Sequence, residues 1–317
     1  MSPRTTTIAL SFLLAGGTAC TPTPPDPNQP GPRPGDPVEC AALLEEPASE
    51  RHLEGARGYK GLAFDDAGNI VGTDASALFK ANSDGDQEVF VPGVGEIEQI
   101  VYLPDGDLIA TSSWNSGNLQ RISPQGGVST IVSGLYMYSV LVGPDGMLYG
   151  AGWDGAYRID PDSGAVTELL STSDGEEWSA RTLAFNDDAS RLYMGTVDDA
   201  GRIFYFDLDD DLQPQGAPQE FVRGVGNGWH DGLGVDACGN LYAADYETSS
   251  LYRVARDGSH VHRLADWSSD DSRFGHGLIW GTGEDGWRGD ALYMPEPAGG
   301  NRVKELVIGV PAQGWAD

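Results

Sequence analysis

"SVLVGPDGMLYGAGWDGAYRI", residues 139–159, decides the fold. An apolar run, Val140–Val142, breaks at Gly143-Pro144-Asp145-Gly146 and resumes at Leu148 with period-two alternation. Asp-Gly between two such runs marks a tight hairpin, because glycine enters positive φ without a Cβ clash. The third run ends on an aromatic residue and an arginine before an aliphatic one. The whole stretch lacks a helical period, so it predicts successive antiparallel strands.

The same grammar recurs along the chain at a spacing of about forty residues. The further copies are "GLAFDDAGNIVGTDASALFK" (61–80), "QIVYLPDGDLIATSSWNSGNLQRI" (99–122), "TLAFNDDASRLYMGTVDDAGRIFYF" (182–206), "GLGVDACGNLYAADYETSSLYRV" (232–254) and "GLIWGTGEDGWRGDALYMPEPAGGNRVKEL" (277–306). A fourth strand follows each, as in "QEVFVPG" or "VSTIVSG". Six copies of four strands predict an all-β, six-bladed β-propeller with four antiparallel strands per blade. The sixth copy runs out before its fourth strand, because only "PAQGWAD" follows Val310. "SERHLEGA" (49–56) precedes the first blade and is expected to close the last one, leaving no free edge.

Composition agrees: 44 glycines and few leucine-rich runs favour strands and turns. A net charge of −29 argues against nucleic acid and anionic membrane surfaces as partners. The acids are scattered, which fits a solvated surface better than a dedicated cation site.

Residues 1–19 read as a signal peptide. Arg4 precedes "TTTIALSFLLAGG", which is too short to span a bilayer. The stretch ends in "GTAC", and a small residue before the lone Cys20 resembles a bacterial lipoprotein signal, although Gly17 stands where leucine is usual. That resemblance implies lipidation at Cys20, a cell-envelope protein anchored to the membrane, and, with uncharged Thr21 next, the outer membrane. The alternative is plain secretion. Residues 20–40 contain "TPTPPDPNQPGPRPGDP" and read as a proline-rich tether, with the propeller occupying 41–317. If Cys20 carries lipid, Cys40 and Cys238 remain. In an oxidising compartment they are expected to form a disulfide closing a loop of roughly two hundred residues; two unpaired thiols are the other option.

The blade word "HDGLGVDACGNLYAADYETSSLYRV" (230–254) resembles the senescence-marker-protein/gluconolactonase family of regucalcin-like lactonases, and also NHL-repeat and strictosidine-synthase-like propellers. The likeness covers about residues 55–311. It speaks for the fold more than for an activity, since such words recur across many functions.

Aligning the copies on the turn glycine places Lys60, Glu98, Tyr138, Arg181, Asp231 and His276 at the starts of the innermost strands, facing one mouth of the central channel. The lactonase resemblance implies a divalent metal at this mouth, held by a Glu in an E-G-P word, two Asn and an Asp. Here those positions read Lys60-Gly61-Leu62, Tyr138, Arg181 within Ala180-Arg181-Thr182-Leu183, and Asp231 within His230-Asp231-Gly232. Only Asp231 is retained. Lys60 and Arg181 repel a divalent cation, so no cofactor is called with certainty and that metal is disfavoured.

Three readings of the mouth follow. Lys60 and Arg181 neutralise Glu98 and Asp231 in a salt-bridged plug. Alternatively they form a pocket for an anion or carboxylate. In the third reading Asp231 or His276 acts as a base and a cation stabilises an oxyanion. A zinc-like site using Glu98, His230, Asp231 and His276 is a rarer variant. Trp114, Trp153, Trp178 and Trp229 fall in loops expected on this face, where they form a stacking platform for sugars or flat ligands, or else pack between blades. No GxSxG elbow, phosphate loop or paired-His zinc helix occurs, and "DLDDDL" (207–212) lacks the glycine and glutamate of a calcium loop. The functional expectation is a propeller binding a small anionic or carbohydrate ligand, or a protein partner, at the mouth. The competing expectation is a gluconolactonase-like hydrolase with an altered site.

Overall fold

The computed structural model describes residues 31–34, 36–40, 43–74, 76–112, 117–171, 179–269, 277–297 and 300–314. Among them, strands assemble into six four-stranded antiparallel sheets, as the repeat predicts. In blades 1–5 the strands follow chain order from the channel outward. The innermost strands are Leu62–Phe64, Ile100–Tyr102, Met137–Val142, Ser179–Phe185 and His230–Val235, with Ile279–Trp280 in blade 6. Blade 6 takes its outermost strand from the other end of the chain. Ser49–His52 pairs antiparallel with Arg302–Val307, in the register Ser49↔Val307 to His52↔Lys304. This is the closure expected from "SERHLEGA". No helix long and apolar enough to cross a membrane occurs among the described residues.

The turn chemistry follows the sequence reading. Gly146 has φ 74°, and its N–H donates to Gly143 O at 3.0 Å. The preceding Asp145 accepts the Met147 N–H (3.1 Å), the Tyr149 hydroxyl (3.0 Å) and the Arg158 guanidinium (2.7 and 2.9 Å). This accounts for the cation late in the third strand of blades 1 to 3: it reaches back to the acid of the first turn. Lys80 does so to Asp65 (2.8 Å) and Arg121 to Asp107 (2.5 Å).

Six apolar clusters fill the spaces between neighbouring blades. Aromatic rings bridge them edge to face, as with Tyr149 and Phe185 (4.8 Å), Phe64 and Trp287 (5.2 Å), and Tyr242 and Trp280 (5.4 Å). Such pairs add about 0.5–1.5 kcal/mol beyond their buried area.

The first and last described segments lie on the lower face, where the innermost strands finish. Ala312 bridges to Asp236, and Gln313 bonds to Val235 O through its N–H (3.1 Å) and to Phe185 O through its amide (2.8 Å). The described part of the predicted tether, from Gly31 onward, lies along this face rather than standing clear of it: Arg33 pairs with Glu284 of blade 6 (2.9 Å). Cys40 is bonded to Cys238, across a separation of 198 residues. The disulfide expected from cysteine counting is therefore present. It ties the N-terminal segment to blade 5 just before Ser49–His52 enters blade 6.

Replacing both cysteines (Cys40→Ser, Cys238→Ser) should lower the unfolding free energy by about 2–4 kcal/mol. Urea titration of the two proteins side by side measures it. An unchanged midpoint means that strand pairing alone holds the N-terminal segment.

Candidate functional site

The upper mouth of the channel lies where the innermost strands begin. Its residues are set there by β-bulges. In blades 3, 4 and 5 the ladder register shifts across Met137/Ser139, Ala180/Thr182 and His230/Gly232. Tyr138, Arg181 and Asp231 are the extra residues. In blade 2, the Glu98 N–H donates to Thr111 O (2.8 Å) while the Thr111 N–H donates to Gln99 O (2.9 Å), again two residues against one. A bulge frees one side chain from the alternation of the strand and re-aims it. Here each re-aimed side chain is one that sequence alignment assigned to the channel.

These side chains neutralise one another. Lys60 Nζ lies 2.6 Å from Glu98 Oε1 and 3.0 Å from Glu96 Oε1. Arg181 Nε donates to Asp231 Oδ1. The Arg181 guanidinium also stacks on the Tyr138 ring, 3.6 Å from its centroid, and stands 5.6 Å from that of Trp229. Lys60, Glu98, Tyr138, Arg181 and Asp231 are all buried. Burial works against the charge on Arg181, but the Asp231 carboxylate more than offsets it and holds the guanidinium pKa above its usual value. Burial pushes the Tyr138 hydroxyl up to about 12, against the pull of Arg181. The ring is thus a set of buried ion pairs, the arrangement in which charges are tolerable away from water.

Glu96 escaped the sequence reading. Its spacing of two from Glu98 was the available signal, since alternate residues share a side.

His230 is turned away from the mouth. Its Nε2 donates to Val225 O (2.8 Å) and its Nδ1 accepts the Thr196 N–H (3.3 Å). This bonding describes a neutral imidazole. Burial drives its pKa down. With both nitrogens occupied by backbone, His230 does not join Asp231 as a ligand at the mouth. His276, Trp114, Trp178 and Cys20 lie outside the described residues.

The remaining predicted tryptophans do sit at the mouth. Trp153 is 54% exposed and contacts Tyr138 edge to face at 5.8 Å. Trp229 lies against Tyr246 at 5.6 Å. Trp153, Tyr138, Trp229 and Tyr246 therefore make an aromatic arc about the Arg181 guanidinium. Trp229 is held by its own loop: the Asp245 Oδ2 accepts the N–H groups of Asn227 (2.9 Å), Gly228 (2.9 Å) and Trp229 (3.2 Å). Gly226 and Gly228, at φ 62° and 79°, let three successive N–H groups converge on one oxygen. By contrast Trp267 and Trp287 are buried between blades.

The donor set at the mouth does not fit the divalent ion that the lactonase resemblance implies. Glu98 and Asp231 each face a cation of the protein, and among the described residues no group of three or more His, Cys, Asp or Glu side chains is arranged to hold a metal.

Residues 140–265, spanning blades 3 to 5, match the family model described as "SMP-30/Gluconolactonase/LRE-like region". No curated protein matches the chain. Among solved structures, a gluconolactonase from Xanthomonas campestris is 15% identical, with a TM-score of 0.67 over 89% of this chain and 97% of its own. A calcium-binding regucalcin from Agrobacterium tumefaciens is 17% identical, with a TM-score of 0.65 over 84% and 96%. An auxiliary nutrient binding protein from Bacteroides thetaiotaomicron is 14% identical, with a TM-score of 0.62 over 80% and 69%. The likeness to gluconolactonase-type propellers read from the blade words is borne out. At these identities the structural neighbours speak for the fold.

Arg181→Met should destabilise the protein by about 3–5 kcal/mol, because it leaves Asp231 buried without its cation. The double variant Arg181→Met/Asp231→Leu should recover most of that loss in chemical denaturation. Equal losses in both would show that the pair matters for packing rather than charge.

His230 gives a pH signature. Its folded pKa lies below the unfolded value of about 6.5. As pH falls below that value the unfolded chain takes up a proton that the folded chain resists, so stability is full above it and declines below it. His230→Gln keeps an acceptor and a donor but does not titrate. Its stability should fall less steeply than that of the parent between about pH 7 and 5.

Proposed function

We propose that this chain is an exported, lipid-anchored binding protein of the bacterial cell envelope whose propeller takes a small ring-bearing ligand, of carbohydrate type, at the upper mouth. The observation that carries this is the exposed Trp153 set against Tyr138, which is itself stacked on Arg181. Flat apolar faces beside hydrogen-bonding groups suit a sugar ring. Lys60 and Arg181 are each engaged by a carboxylate, which favours a neutral ligand over the anion of the competing reading. The fold neighbour named as a nutrient binding protein is in keeping with a binding role. Export and anchoring rest on the pattern ending at Cys20 and on a disulfide that needs an oxidising compartment. A protein partner at the same mouth is the alternative occupant.

The matched family region keeps a second reading in view, a hydrolase acting on lactones, because it includes Asp231. In that reading Asp231 serves as the base and Arg181 steadies the developing oxyanion.

One experiment separates these. A panel of neutral sugars, sugar acids and aldonolactones is screened by calorimetry and for turnover, with Trp153→Ala and Asp231→Asn alongside. Saturable binding of a neutral sugar, weakened at least about tenfold by Trp153→Ala without turnover, is the expected result. Lactone hydrolysis lost in Asp231→Asn would replace the binding role by the enzymatic one. Incorporation of labelled palmitate, abolished by Cys20→Ser, tests the anchor; an unlabelled chain sinks it.

A further inference from the structure

Beneath the charged ring the channel widens into a cavity of about 530 Å³. It lies wholly below the ring: its walls begin with Gln99, Ser139 and Thr182, each one residue past a ring position, and end at Thr282, Ala312 and Gln313 on the lower face. It is distinct from the mouth and owes nothing to the reading proposed for it. Its volume falls in the range of small-molecule sites.

Two features of the wall define what it suits. The first is charge. Leu62, Ile100, Leu141, Leu183, Leu278 and Trp280 are typical of the lining, and among the described residues no Lys, Arg, His, Asp or Glu contributes to it. In a protein of net charge −29 an uncharged wall is a selective environment. An ionised ligand placed there would lose its hydration with no partner in return.

The second feature is a set of buried polar side-chain atoms, on residues of this wall, without a hydrogen bond inside the protein. Below the ring these are Ser139 Oγ and Gln99 Oε1; near the lower end they are Tyr102 Oη and Gln313 Oε1. Ser139 is only 8% exposed. A buried hydroxyl with no partner is costly unless something in the cavity bonds to it. Ser139 sits beside the bulge at Tyr138, which breaks the regular ladder at that point. The Gln99 backbone is fixed by its N–H, which donates to Thr111 Oγ1 (3.0 Å).

We infer that this cavity is a second ligand site, for a neutral, slender amphiphile whose hydroxyl or carbonyl end bonds to Ser139 and Gln99 and whose apolar chain runs down the channel. The buried ion pairs of Lys60 with Glu98 and of Arg181 with Asp231 border the upper end. The lower end is bordered by Pro34 of the N-terminal segment and by Ala312 and Gln313 of the C-terminal one. The ligand enters from the lower face, between the described segments that Cys40–Cys238 and Arg33–Glu284 hold in place.

The probe is 1-decanol, with decanoate as its charged counterpart of equal chain length. Both are offered to the intact chain at pH 7.5 in equilibrium dialysis, with melting followed in parallel. The expected result is saturable binding of one decanol per chain, a melting temperature raised by a few degrees, and decanoate at least about tenfold weaker. Ala312→Trp, on the partly exposed C-terminal segment, should fill the lower channel and abolish decanol binding. Ser139→Ala should weaken it several-fold while the protein stays folded. Trp153→Ala, at the mouth, should leave it unchanged. Absence of saturable decanol binding, equal binding of decanoate, or binding untouched by both channel variants would overturn the inference and leave the cavity to water.

Discussion

Closure of the ring rests on four residues. Ser49–His52 hydrogen-bonds to Arg302–Val307, and through that pairing the first described strand completes the last blade. Without it, blade 6 would present an open edge and the apolar clusters on its two sides would lose their boundary. The cluster between blades 5 and 6 joins Trp267 to Leu306, and the one between blades 6 and 1 joins Val303 to Ile70. Because each blade is covered only by its neighbours, the ring is complete or every cluster next to the gap is exposed. The disulfide from Cys40 to Cys238 acts on the same seam.

A closed ring places six strand starts around one axis, and the charges that converge there have little water to share. Lys60 with Glu98 and Arg181 with Asp231 answer that constraint by pairing. In that pairing each carboxylate faces a cation of the protein itself. The aromatic arc of Trp153, Tyr138 and Trp229 stands over the pairs, while the described residues lining the cavity below them carry no charge. One layer of ion pairs thus separates an aromatic surface above from an apolar channel below.

Much of this was legible in the chain. Turn words such as Pro104-Asp105-Gly106 and Pro144-Asp145-Gly146 locate hairpins locally, and their recurrence counts the blades. The same alignment picked Lys60, Glu98, Tyr138, Arg181 and Asp231 as neighbours at the mouth. It succeeded because equivalent positions in equivalent blades point the same way. It could not assign partners, since whether Arg181 meets Asp231 or Glu98 depends on ångström-scale offsets between blades. Nor did it see that bulges aim these side chains, because a bulge is a mismatch between two strands and leaves no mark in either one alone.

His230 illustrates the division. In sequence it stands beside Asp231 and invites a joint role; in the fold consecutive residues across a bulge diverge, and its ring bonds to Thr196 and Val225 instead. Sequence alone determined the class of fold, the number of blades, the closing segment and the pair of cysteines, because these follow from local periodicity, turn chemistry and counting. Tertiary structure decided which charges neutralise which, which tryptophans face solvent, and that Ser139 and Gln99 fall on the wall of one cavity. Those outcomes are set by distances between residues far apart in the chain, and such distances exist only once the ring has closed.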